Sequence, residues 1–193
     1  MTGSRLLAER PNAGVEHSEE PLVAWRTWAL SGSPRGEDLL LRPVVTRGRA
    51  WLPREVAEAR CERHWTHTPP EIDCLCGFHA SPTFDVLRRT RCPAVLGRVA
   101  LWGRVIVHER GYRARFAYPQ RLRLICQFCF WQHGPLGNAP AVVGWYPRRR
   151  LVPFCDEHLS VARRLGQAPR RVLDAPALDQ RLRATYAVDL LAV

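Results

Sequence analysis

The 193-residue chain carries 29 basic residues against 18 acidic ones, a net charge of +11, and every one of the 29 is arginine. Its 46% hydrophobic content and seven tryptophans exclude a globally disordered chain. Arg98 and Arg104 interrupt the longest apolar run and the first residues lack the apolar stretch of a secretory signal, so the expectation is a soluble cytoplasmic protein with no membrane partner.

In chain order, residues 1–20 read as a flexible polar leader and 21–125 as a β-rich domain. Leu22 to Leu30 and Asp38 to Leu52 read as strands separated by the turn-forming Ser31 to Gly36, with Arg47-Gly48 as a second turn. Pro53 to Arg60 reads as a short helix leading into Cys61. A Cys/His-rich insert then spans 61–92, irregular from His64 to Pro82 and with a helical turn or two from Phe84 to Thr90. Cys61, His67, Cys74 and Cys76 could hold an ion there; core thiols or a redox-labile pair are the alternatives.

The strongest β pattern runs from Val95 to Pro119. Val99, Leu101, Val105 and Val107 fall on one face, and Arg98, Trp102, Arg104 and His108 on the other. Apolar parity returns as Ala114, Phe116 and Tyr118, opposite Arg113 and Arg115. Matching apolar residues across the pair sets His108 against Arg113, with a four-residue connection from Glu109 to Tyr112. The polar face of Arg98, Trp102, Arg104, His108, Arg113 and Arg115 has two readings. It is a nucleic-acid platform, with arginines on phosphates and Trp102 on a base, or an ordinary solvated strand face.

The sharpest chemical signal comes next. Cys126-x2-Cys129, 25 intervening residues and Cys155-x2-His158 make two hooks that can meet at one tetrahedral ion, and a Cys3His set is a usual zinc set. Phe130 to Pro140 is turn-rich, Ala141 to Tyr146 and Leu151 to Phe154 read as a hairpin, and Arg148, Arg149 and Arg150 form its polar turn. Asp156 to Leu165 reads as a helix with acids in its first turn and bases in its last, stopped by Gly166. Knuckle, hairpin and helix follow the order of a treble clef, and residues 126–170 are assigned to this zinc module. Four protein ligands mark a structural zinc, with His133 the competitor for the place given to His158.

Gln167 to Arg171 reads as a basic linker, and 171–193 as a C-terminal helix capped by Asp174. Its stripe of Leu178, Leu182, Tyr186 and Leu190 docks on the core, and Asp179 and Arg183 are spaced for an i,i+4 pair. The fold class is therefore α+β: a β-rich domain, as a partly open barrel or antiparallel sheet, with a treble-clef-like zinc module and a C-terminal helix.

Cys74 to Ala80 (CLCGFHA), Val95 to Val105 (VLGRVALWGRV) and Gly111 to Ala114 (GYRA) together resemble a group of small, uncharacterised proteins of high-GC actinobacteria. The resemblance covers about residues 25–125 and implies a bacterial protein without assigning a role to any residue. The zinc deaminase, nucleophile-elbow, phosphate-loop and zincin patterns are all missing, and a chain without lysine offers no Schiff-base amine. The reading is a cytoplasmic binding protein stabilised by one zinc, or two, and contacting nucleic acid through arginines. A protein-interaction adaptor is the alternative, and an enzyme built on the upstream Cys/His group a third.

Overall fold

The computed structural model describes residues 14–44, 48–64 and 66–192. Three long strands organise it: β1 (Gly14–Ser31), β5 (Val95–His108) and β6 (Gly111–Leu124). β1 runs antiparallel to β5 from Gly14↔Val107 to Trp28↔Val95. This corrects the expected leader, because residues 14–18 have a pairing partner far along the chain that no local pattern reveals. Residues 1–13, and Arg47 of the expected second turn, lie outside the described residues.

Short strands close the edges. β2 (Leu40–Arg42) pairs with the end of β1, and β3 (Ala57–Glu58) and β4 (Phe78–Ala80) both pair with β6. Ser81, directly after β4, exchanges two backbone hydrogen bonds of 2.7 and 2.8 Å with Trp25 of β1. The sheet therefore curls into a half-barrel around Ala24, Trp28, Leu41, Trp51, Val95, Val99 and Leu101. Two expectations fail here. Among the described residues, the expected strand from Asp38 to Leu52 is reduced to β2 plus one bridge between Leu41 and Trp51. Pro53 to Arg60 contains no helix, because Arg54 takes φ 60° and Ala57–Glu58 is captured as an edge strand by β6.

The β5–β6 hairpin also departs from its expected register. His108 faces Gly111 across a two-residue turn, and Ile106, not His108, lies opposite Arg113. One extra residue in β5 between Trp102 and Val105 resets the alternation, at a bulge that contains Gly103 with φ +75°. Gly111 has φ +147°, and a Cβ there would lie 2.3 Å from the Ala80 carbonyl oxygen. Gly111→Ala should therefore cost more than the roughly 1–2 kcal/mol of a left-handed backbone alone, measurable by urea unfolding.

The C-terminal third continues the same sheet. Helix α1 (Gln127–His133) follows β6, then β7 (Val142–Tyr146) and β8 (Arg150–Phe154) form a hairpin. Helix α2 (Asp156–Arg164), β9 (Arg171–Asp174), helix α3 (Ala175–Tyr186) and β10 (Asp189–Leu190) complete it. Among the described residues the main path is β10-β6-β5-β1-β8-β7-β9, joined where Leu30 of β1 pairs with Leu151 of β8. The expected helix over 171–193 is thus a strand, a shorter helix and a strand. Asp174 caps α3 through Ala177 N–H at 2.7 Å, and Leu178, Leu182 and Tyr186 are buried. Ala187 at φ 52° ends the helix, leaving Leu190 half exposed rather than on the stripe. No helix among the described residues is long and apolar enough to cross a membrane.

Candidate metal centres

The two hooks converge. Cys126 is the N-cap of α1, Cys129 lies inside it, Cys155 is the N-cap of α2 and His158 is in its first turn. The His158 Nδ1 atom lies 3.0 Å from the Cys155 Sγ, 3.4 Å from Cys129 and 3.7 Å from Cys126, and the Cys129 and Cys155 sulfurs are 3.6 Å apart. A tetrahedron with ordinary metal–sulfur and metal–nitrogen bonds has edges of roughly 3.6–3.8 Å, so the four atoms already surround a position for one ion. The Phe128 ring stacks on His158 at 5.0 Å and 14°, which fixes the imidazole plane. His133, the competitor, is exposed at the end of α1 and outside the cluster.

Burial acts on these thiols before any partner does. It pushes Cys129 up to about 12 and raises Cys126 above the ordinary thiol value. Without an ion Cys126 and Cys129 are neutral at pH 7, so ion binding must displace protons, and affinity falls as pH falls.

A second set forms where β3 leads into β4. Cys61, His67, Cys74 and Cys76 bring one ligand atom each to within 4.8 Å of the others. The Cys61 and Cys74 sulfurs are 3.7 Å apart and His67 Nε2 lies 3.3 Å from Cys76 Sγ. Again three sulfurs and one nitrogen meet, a donor set that fits a tetrahedral ion. His64 donates its backbone N–H to Cys61 Sγ at 3.3 Å, while its ring sits beside His67 at 5.8 Å. At Cys61 desolvation, which raises a thiol, is outweighed by the His64 and Arg63 backbone N–H groups, and the thiol is held below its ordinary value. Desolvation pushes Cys76 up to about 11. All four ligands are partly exposed, whereas the three cysteines of the first centre are buried.

The expected arginine face is largely occupied. Arg104 pairs with Glu71 at 3.2 Å, Arg115 pairs with Glu58 at 2.8 Å, and the Arg98 guanidinium lies 4.8 Å from the Trp25 ring centroid. Arg113 is 4% exposed and turned into the second centre's loop. It also donates to His108 Nε2 at 2.9 Å, and desolvation, reinforced by Arg113, lowers the His108 pKa. Trp102 stacks on Phe116 at 6.1 Å. Glu71, which had no sequence signal as a partner, takes part because the loop folds back over β5 and β6.

A different basic group collects around the β7–β8 tip. Arg148 and Arg149 are exposed with φ 60° and 62°, and the Arg150 guanidinium lies 5.3 Å from the Tyr146 ring centroid. Arg171 pairs with Trp145 across β9 and β7 and donates to the Pro34 carbonyl at 3.4 Å, which brings the exposed Arg35 to the same end. Arg149 reaches Asp38 at 3.4 Å, with both side chains more than half exposed.

No family model, curated protein or solved structure matches the chain. Roles for these residues therefore come from geometry alone.

Proposed function

We propose that the protein is a zinc-stabilised binding protein that contacts nucleic-acid phosphates through the arginine-rich tip of the β7–β8 hairpin. Zinc is the reading for the ions because both centres offer three thiolates and one imidazole, a soft tetrahedral set that carbonyl- and carboxylate-seeking ions do not choose. With all four positions supplied by protein, each ion is structural. Knuckle, hairpin and α2 are read as a treble clef, the metal holding the hairpin's base while the arginine side chains at its tip stay exposed.

The observation that carries the reading is the pair Arg148–Arg149. Two consecutive left-handed residues are ordinarily Asn and Gly in a tight hairpin, and arginine there is a strained choice. Arginine supplies the planar, weakly hydrated cation suited to phosphate. Arg35, Arg150, Arg170 and Arg171 gather at the same end, since Arg170 N–H bonds to the Trp145 carbonyl at 3.0 Å and Arg150 lies opposite Ser31. The β5–β6 arginines, engaged with Glu71, Glu58 and loop carbonyls, take the lesser share of the proposed contact.

Titration of a fluorescent duplex with the metal-loaded protein at increasing salt tests this. The logarithm of the binding constant should fall linearly with log salt, by about 0.9 per phosphate neutralised. Three contacts at the tip would give a slope near about −2.7. Absence of binding at low salt would rule the reading out. A salt-insensitive interaction with protein would instead favour the adaptor reading, which rests on Leu75 and Leu136, 73% and 84% exposed in the loops of the two centres.

A further inference from the structure

Arg113 is a buried cation whose four acceptors are all neutral. Its Nη1 donates to the Glu71 carbonyl at 3.0 Å, to the Cys76 carbonyl at 3.4 Å and to the Cys74 carbonyl, while Nε donates to His108. The Glu71 carboxylate accepts from Arg104, and Arg113 holds only the Glu71 backbone carbonyl. A guanidinium so little exposed, with no carboxylate among its hydrogen-bond acceptors, is stabilised by any further negative charge close to it. Three thiolates around a divalent ion carry a net negative charge, and two of those thiolates belong to residues whose carbonyls Arg113 holds.

The two centres differ in how that charge is met. In the first, Cys155 caps the nine-residue α2, whose N-terminal backbone dipoles face the thiolates. Between β3 and β4 no helix occurs among the described residues, so the second centre has no such dipole. Its loop instead packs on Arg113: a Cβ built at Gly77, which has φ +111°, would lie at ordinary van der Waals distance, 3.4 Å, from the Arg113 Cβ.

We propose that Arg113 is the positioning residue of the second metal centre, holding the 71–77 loop by its carbonyls and offsetting the charge of the thiolate-bound ion. The inference rests on the zinc reading of that centre and does not depend on nucleic-acid binding.

The test compares full-length wild type with Arg113→Met, Arg113→Lys and Arg115→Met, the last an arginine two residues along the same strand that pairs with Glu58 instead. Wild type should bind two ions, and competition with a chromogenic chelator should resolve their release. Arg113→Met should weaken the second ion by roughly 10–100-fold, the range for lost outer-shell partners, and leave the first unchanged. Arg113→Lys, which keeps charge but not the fork, should fall between, and Arg115→Met should match wild type.

A purely structural role is separated by repeating the substitution in Cys74→Ser protein. There the stability cost of Arg113→Met should shrink, because the charge it offsets has been reduced. This comparison of unfolding midpoints still reads out if Arg113→Met alone folds poorly. Equal costs in both backgrounds, or unchanged retention of the second ion, would overturn the proposal. A wild-type protein holding one ion would overturn the second centre and the role of Arg113 with it.

Discussion

Cys155→Ser should release the first ion and unfold α1, the base of the β7–β8 hairpin and α2, while the half-barrel stays folded. The buried residues around this centre are few: Cys126, Cys129 and Cys155 form one small cluster with Phe128, and Phe154, Leu159 and Ala162 form another. Helix α2 spans Asp156–Arg164 and exposes Leu165 just beyond its end, so it is too short to persist alone. Structural zinc contributes roughly 10–16 kcal/mol to the smallest metal-dependent folds. Here the loss should be smaller, because Val143 and Leu151 of the hairpin also belong to the main core. Serine is itself a good N-cap, so loss of helix capping does not account for the effect.

Hydrogen exchange by mass spectrometry is the direct measurement. Protection over α1 and α2 should collapse in the variant, and equally on chelation of wild type, while β5, β6 and the β8 residues paired with β1 keep theirs. Cys61→Ser, at the more exposed centre, should release its ion with a smaller loss confined to 61–80. Unchanged protection around α2 after chelation would sink the structural role of the first ion. Acidification should reproduce chelation. Protons compete for the thiolates, so the metal-dependent stability is present at neutral pH and lost as pH falls. In metal-free protein the sign reverses. With Cys129 raised to about 12, the folded state keeps a proton that the unfolded thiol loses as pH rises past its ordinary value near 9.0.

What sequence could reveal follows from how local each determinant is. Cys126, Cys129, Cys155 and His158 were legible because each hook is built by neighbours in the chain, and the hairpin between them has its own strand and turn signals. Asp174 and the stripe of Leu178, Leu182 and Tyr186 were legible for the same reason. The β5–β6 face was not. A single extra residue at Gly103–Arg104 resets the alternation, and a strand period of two carries no memory of phase across such a bulge. Arg113 lies on β6, whose alternation is intact at that point, and reads as surface only because the loop that covers it comes some forty residues upstream. The Pro53–Arg60 segment failed differently: its spacing suits a helix, but pairing of Ala57–Glu58 with β6 outweighs that weak propensity. Residues 14–18 look like a leader until their partner strand is known.

Arg148→Asn combined with Arg149→Gly should make the protein more stable and the proposed nucleic-acid binding weaker. A left-handed conformation costs an ordinary L-residue about 1–2 kcal/mol, and both arginines adopt it, with φ 60° and 62°. Asparagine tolerates that region and glycine enters it freely, so the pair should gain roughly 1–3 kcal/mol, read as a shift in the urea midpoint at constant slope. Little is lost in exchange. The Arg149–Asp38 contact of 3.4 Å joins two side chains that are 56% and 71% exposed, the kind of pair that contributes next to nothing. The hairpin also keeps its anchor, since Gly32 N–H bonds to the backbone carbonyl of residue 149 at 3.0 Å whatever its side chain. Binding should move the other way. If both guanidiniums reach phosphates, the salt slope should flatten by about 1.8 and affinity should drop at every salt concentration. Stability gained at the expense of a ligand contact is the usual mark of a strained functional residue. A more stable variant with unchanged binding would remove the tip from the contact surface. A less stable one would mean that Arg148 and Arg149 serve the fold, and that their backbone conformation is held by packing rather than kept for a partner.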